Sequence, residues 1–216
     1  MDISYLDKDS IKIHSKHTTF VIDPSSIIPK TSADAVILLN GNKSITFFSR
    51  SIDSREKKNN TNPHGKPRDF EKVLDKDLSR VDDYRIVING PGEYEINGVK
   101  VSCAKGDKGF IYGFTSDGIS LILGKSSEIS EISAKGGSAS GRKEEIDTAC
   151  QIAILNVDDG FSSSFITNLE PKIAVLYGDK KENAANLLGK GTLPATKKFT
   201  VTKDKLPEEM EVVVLG

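Results

Sequence analysis

Tryptophan is missing from this chain, methionine and cysteine occur twice each, and histidine only three times. Two cysteines, Cys103 and Cys150, cannot build a disulfide scaffold, and such sparing use fits a reducing, cytoplasmic setting. No apolar run approaches the roughly 20 residues that a bilayer-crossing helix needs, so no membrane partner is expected. The opening Met1-Asp2-Ile3-Ser4-Tyr5-Leu6 lacks both a basic stretch and a long apolar run, so a secretory leader is not expected either. A charge excess is lacking too: Lys plus Arg number 30 against 31 for Asp plus Glu, a formal net charge of -1. A balance this close draws neither nucleic acid nor anionic lipid to the molecule as a whole.

What is present is ordinary globular material. The 216 residues are 37% hydrophobic and 28% charged, enough to bury a sizeable core in one domain spanning 1–216. Strand-like runs dominate. Three short ones at 3–6, 10–14 and 19–23 are separated by polar turns, as in an antiparallel meander. The run 35–39 (Ala-Val-Ile-Leu-Leu) is apolar throughout and reads as a strand covered on both faces. Further strands are expected at 85–88, 93–96, 99–103, 109–115, 119–124, 152–157, 173–177, 198–202 and 211–215. Asn97-Gly98 and Asp117-Gly118 each sit between two such runs and are strong hairpin signals. Helical spacing occurs in 68–81, in 161–169 ahead of Pro171, and in 182–188 ahead of Gly189. Residues 53–67 are polar and charged, and 136–143 have a linker composition, so both read as loops. Many antiparallel strands with helices inserted between them give an α+β class.

One stretch is more specific. Arg85-Ile86-Val87-Ile88-Asn89-Gly90-Pro91-Gly92-Glu93-Tyr94-Glu95-Ile96-Asn97-Gly98-Val99 resembles a signature of the metallo-β-lactamase superfamily, in the branch similar to ascorbate-6-phosphate lactonase. Ile3-Ser4-Tyr5-Leu6, Ser10-Ile11-Lys12-Ile13 and Val21-Ile22-Asp23-Pro24 resemble that branch's first three strands and its Asp-Pro turn. Ala33 to Leu39 resemble the strand that delivers its metal-binding loop, and Leu169 to Leu176 its last core strand. The resemblance implies a four-layer αββα sandwich, with the site at one edge of the paired sheets. It also implies a hydrolase whose metals are held by histidines and carboxylates converging from several strand ends.

The ligand pattern itself departs from that family. Where the family carries an H-x-H-x-D-H loop, this chain has Asn40-Gly41-Asn42-Lys43-Ser44-Ile45. Asn40 and Asn42 fall on two histidines, Ser44 on the aspartate and Ile45 on the last histidine. A carboxamide is a poor zinc ligand and an alkyl side chain is none. The His expected after 99–103 is absent from Ala104-Lys105-Gly106-Asp107-Lys108-Gly109. Lys125 stands where the bridging Asp is expected, which sets an ammonium among the cations it should neutralise. The last His aligns near Gly178. With only His14, His17 and His64 in the whole chain, no small alignment shift restores the set.

Other chemistries find little support. His14 and His17 read as turn residues, on the side of the hairpin away from Asp23, and His64 as a loop residue. Asp23, Asp158, Asp159 and Asp179 could in principle hold a harder cation, but they read better as turn acids. Gly90-Pro91-Gly92 feeds a strand and lacks the Lys-Ser/Thr of a phosphate loop. The basic residues between Arg50 and Arg68 alternate with acids and lack stacking aromatics, so nucleic acid is not an expected partner. Ser25, Ser126 and Ser162 to Ser164 have no histidine to activate them, and the two cysteines read as buried thiols. The expectation is a catalytically degenerate member of the fold, without cofactor, metal or catalytic residues, serving as a binding or assembly module. Its vestigial cleft is lined by Asp23, Asn40, Asn42, Lys125 and Asp179, with Lys125 paired to Asp23 or Asp179. The alternative is a hydrolase with a remodelled or single-metal site. The ligand or protein partner stays unidentified at this level, and a homo-oligomer is what relatives of that branch suggest.

Overall fold

The structure, a computed structural model, describes residues 1–40, 78–134 and 149–216. Asn42, His64, the 53–67 and 136–143 loops and most of the 68–81 helix lie outside the described residues.

Two sheets face each other. The first contains β1 (Asp2–Asp7), β2 (Ser10–Ser15), β3 (Thr18–Ile22), β5 (Ala35–Ile37), β7 (Ile86–Ile88) and β14 (Lys198–Thr200), in the order β14-β1-β2-β3-β5-β7. The second contains β8 (Gly92–Ile96), β9 (Val99–Lys105), β10 (Phe110–Ser116), β11 (Ile119–Lys125), β12 (Ile152–Asn156), β13 (Ile173–Tyr177) and β15 (Glu211–Val214), in the order β15-β13-β12-β11-β10-β9-β8. A two-strand ribbon of β4 (Thr31–Ser32) and β6 (Val81–Asp82) lies apart. Among the described residues the complete α-helices are α1 (Ser126–Ala134), α2 (Ser163–Leu169) and α3 (Lys181–Leu187).

The two-residue strand period sorts side chains into layers. Along β12, Ile152 and Ile154 enter the core between the sheets, while Ala153 and Leu155 face the helices. The inter-sheet core joins Ile3, Ile13 and Phe20 of the first sheet to Val101, Leu123 and Val175 of the second. Ile129 of α1, Phe165 and Ile166 of α2 and Ala184 of α3 cover the outer face of the second sheet. Ile28, Leu78 and Val81 pack on Val21, Val36 and Leu38 at the outer face of the first. Burying each Ile, Leu or Phe contributes about 1.5–3 kcal/mol, so these layers carry the fold.

The expected α+β class holds, with three differences in detail. Among the described residues six of the twelve strand pairings are parallel, including the β11-β12-β13-β15 and β3-β5-β7 runs. The strands are therefore far less antiparallel than their short spacing suggests. Helix α1 has no counterpart in the sequence expectations. Val81, placed at the end of a helix by its spacing, lies in β6 instead. Both hairpin signals fold as two-residue turns, with positive φ at Asn97 (49) and Gly98 (80), and at Asp117 (55) and Gly118 (72).

Two tyrosines fix the geometry around the Gly-Pro-Gly turn. Tyr94 donates its hydroxyl back to the Gly90 carbonyl at 2.9 Å, closing the turn on itself. The buried Tyr112 hydroxyl is shared between the carbonyls of Leu38 at 2.7 Å and Ile88 at 3.2 Å. It thereby ties the ends of β5 and β7 to the opposite sheet, next to the site.

Candidate functional site

A cleft of about 380 Å³ opens where β3, β11, β12 and β13 end, beside the β1–β2 hairpin and Asn40. Strand ends gather polar groups here because their last residues leave the core but keep the register of the sheet. Asp23, Asn40, Lys125 and Asp179 all line it, together with Asp9, Asn156, Asp158, Asp159 and Lys180. Asn42 lies outside the described residues. His14 sits on β2 with Nδ1 3.0 Å from the Thr19 hydroxyl, at the end of the hairpin away from Asp23.

Asp23 is a backbone fastener. Its φ is 42, its carboxylate accepts the Leu39 N–H at 3.0 Å, and its carbonyl accepts the Ser10 hydroxyl at 2.6 Å. Asn40 is held by a bridge to Gly109. That approach is so close that a Cβ on Gly109 would lie 2.5 Å from the Leu39 carbonyl oxygen. In the neighbouring loop the Lys108 N–H is given to the buried Glu128 carboxylate at 3.2 Å, so α1 anchors the segment where the resemblance expects a histidine.

Asp158 is fully engaged as a cap. Its carboxylate accepts Ser126 Oγ at 2.7 Å, Ser127 Oγ at 2.5 Å, the Ser127 N–H at 3.1 Å and the Gly160 N–H at 3.2 Å. Burial pushes this carboxyl up, but the hydroxyls of Ser127 and Ser126 and the two N–H groups outweigh it and hold the carboxyl below its ordinary value. Asp179 pairs with Lys8 at 2.5 Å and Asp159 with Lys180 at 3.3 Å. The expected pairing of Lys125 with Asp23 or Asp179 is not what the structure has. Lys8 takes Asp179, the Leu39 amide takes Asp23, and Lys125 has no ion-pair partner among the described residues.

Two polar groups at the strand ends escape sequence reading. Asn156 donates from Nδ2 to Asp9 at 3.3 Å. Tyr177 is fully buried, and its hydroxyl has no hydrogen-bond partner within bonding geometry among the described residues. Burial raises its pKa well above the usual tyrosine range, and the charges of Asp23 and Asp9 push the same way. The Asn156 side chain pulls the other way. The signal available in the sequence was position: each polar residue closes an apolar run at the carboxyl end of a strand.

No family model matches the chain, and no curated relative does. Solved structures match its fold. A Thermotoga maritima protein assigned as a zinc-dependent hydrolase of the metallo-β-lactamase superfamily superposes with a TM-score of 0.59. The two are 18% identical, and the match covers 100% of this chain and 98% of that one. A mutant of the β-hydroxylase CmlA gives a TM-score of 0.53 at 10% identity, covering 93% of this chain and 53% of that one. The molecule has the metallo-β-lactamase fold.

Among the described residues, the cleft's donors do not suit a zinc pair. That pair needs neutral imidazoles and free carboxylates at bonding distance. Here stand a carboxamide, an ammonium, carboxylates already committed to amides, hydroxyls or lysines, and Gly178. At Gly178, φ is 96 and a Cβ would lie 2.7 Å from Asn156 Oδ1. Among the described residues no three His, Cys, Asp or Glu side chains gather as a metal site.

Proposed function

We propose that this chain is a metal-free descendant of the branch similar to ascorbate-6-phosphate lactonase, acting as a binding or assembly module. The observation that carries this reading is Lys125. A half-buried ammonium at the end of β11 lines the same cleft as Asn40, Asp23 and Asp179. A cation fixed there raises the electrostatic cost of bringing in a second and third positive charge. The departures at Asn40, Asn42, Ser44, Ile45 and Gly178 support it, because they touch every ligand class at once. A second reading, a hydrolase with a remodelled or single-metal site, draws support from the five aspartates that line the cleft.

Elemental analysis of the native protein, purified without chelators from cells grown with added zinc, manganese and iron, separates the two. The expected result is far less than one ion per chain of any of these metals. One or more ions per chain, retained through dialysis, favours the hydrolase. Light scattering on the same sample tests the assembly role, a homo-oligomer being the expected form.

A further inference from the structure

The helices that cover the second sheet leave one face of their own open. Helix α3 buries Ala184 and Ala185, each 1% exposed, while its last residue, Leu187, is 61% exposed. Asn183, one turn earlier, shares that solvent-facing side. Leu187 borders a groove of about 580 Å³ that runs between α2, α3 and the segment leading into β15. Ile166, Pro171, Leu188 and Met210 also line it. The first two are buried and the last two half-buried. Ile166, Leu188 and Met210 belong to the layer between the helices and the second sheet, so the groove reaches down to that core.

A single exposed leucine is ordinary, but one beside an apolar groove makes a contiguous patch of the kind that marks an interaction surface. Two polar neighbours are already satisfied within the chain. The Thr167 hydroxyl donates to the Ser163 carbonyl at 3.3 Å, and the Lys172 ammonium to the Pro207 carbonyl at 3.4 Å. Covering them therefore orphans neither. The remaining charges are uncommitted. Glu170 and Glu208 line the groove, exposed and without an ion-pair partner among the described residues. Lys190 is in the same state. Its N–H is given to the Ala185 carbonyl at 3.1 Å, which folds the chain back over the last turn of α3 and keeps Lys190 at the Leu187 end. One face thus carries an apolar knob beside an apolar hollow, and a free base beside free acids.

We propose that this groove is the contact between two copies of the chain, related by a two-fold axis beside Leu187. Leu187 of each copy sits in the groove of the other, and Lys190 of each faces Glu170 and Glu208 of the other. A two-fold contact needs one self-complementary patch, and this face supplies both halves in shape and in charge, which favours a second copy over a foreign peptide. The proposal rests on the assembly reading above and names the surface that serves it. A patch one groove wide falls short of the roughly 800 Å² per partner of a stable complex, so the dimer is expected to be weaker than about 1 μM.

The test is sedimentation equilibrium of the full chain from about 10 μM to about 1 mM. The mass is expected to rise with concentration from 23.5 kDa towards twice that value. Leu187→Glu, at a position already exposed, is expected to weaken association at least about tenfold with an unchanged circular dichroism spectrum. Lys190→Glu is expected to weaken it about tenfold, and adding Glu170→Lys and Glu208→Lys in the same chain to restore it, which damage to the fold could not do. The proposal is overturned if the mass stays at that of one chain throughout, if Leu187→Glu associates unchanged, or if the charge-swapped chain fails to recover. Failure of the broader reading looks different. A metal-free oligomer indifferent to Leu187→Glu overturns this surface alone, whereas a metal-loaded protein overturns the module reading whatever its mass.

Discussion

Tyr177 and Gly178 are chain neighbours at the end of β13 under opposite constraints. The tyrosine keeps a hydroxyl that the described protein atoms leave unbonded, so in ligand-free protein its removal relieves a desolvation cost. Tyr177→Phe is expected to raise unfolding stability by about 1 kcal/mol, read from the urea midpoint at unchanged slope. A clear loss of stability would mean that the hydroxyl has a structural partner. Gly178, at φ 96 and crowded by Asn156 Oδ1 and the Val157 backbone, tolerates no side chain without strain. Gly178→His, which restores the residue type the resemblance expects, should therefore cost about 1–3 kcal/mol. A melting temperature equal to that of the parent would refute this. The contrast also shows how far the site is legible in the sequence. Asp23, Asn40, Lys125 and Asp179 stand out because each follows an apolar run and fills a motif position. Tyr177 and Asn156 also close apolar runs but fill no motif position, and what sets them side by side is register across parallel strands, which no local pattern encodes.

At the scale of the element, α1 is the clearest case of information held elsewhere in the chain. Its opening Ser126-Ser127 has weak helix propensity, and the acid that caps it, Asp158, lies 32 residues from Ser126. A local reading therefore passes over the helix, while the hairpins at Asn97-Gly98 and Asp117-Gly118, which need only two residues each, are legible at once. Parallel pairing is hidden for the same reason, since strands 152–156 and 173–177 find their partners only through the helices between them. The cap has a pH signature. Asp158 is held below its ordinary value of 3.8 in the folded state, so the unfolded chain takes up the proton first as pH falls. Its stabilisation is complete above about pH 5 and drains away as pH drops through the ordinary value and then the lower folded one. Asp158→Asn should cost about 1–2 kcal/mol at neutral pH. Its stability curve should then converge on that of the parent in acid. Denaturant titrations from pH 7 down to 2.5 check this, and two curves that stay parallel throughout would exclude the carboxylate as the source.

For the molecule as a whole, the decisive feature is how often the chain changes sheets. The first sheet holds β1 to β3, β5 and β7, the second takes over at β8, and β14 then returns to pair with β1 before β15 ends the chain beside β13. Neither sheet can be completed from one continuous half of the sequence, and both close on one shared core in which Ile3 and Val213 belong to the same cluster. Separate unfolding of the halves would strip that core from both at once. Loss of the β1–β14 pairing, in register from Asp2–Thr200 to Ser4–Lys198, should likewise propagate to each sheet. The expected outcome is one cooperative transition. The absence of tryptophan makes the measurement specific, because the aromatic signal comes only from phenylalanine and the five tyrosines. Two of those tyrosines, Tyr112 and Tyr177, are fully buried in the second sheet. Near-ultraviolet circular dichroism from these rings and far-ultraviolet signal from the whole backbone should give coincident urea midpoints. Tyrosine signal lost well before or after the backbone signal would show two units, and the cleft built from both sheets would then be an interface between them.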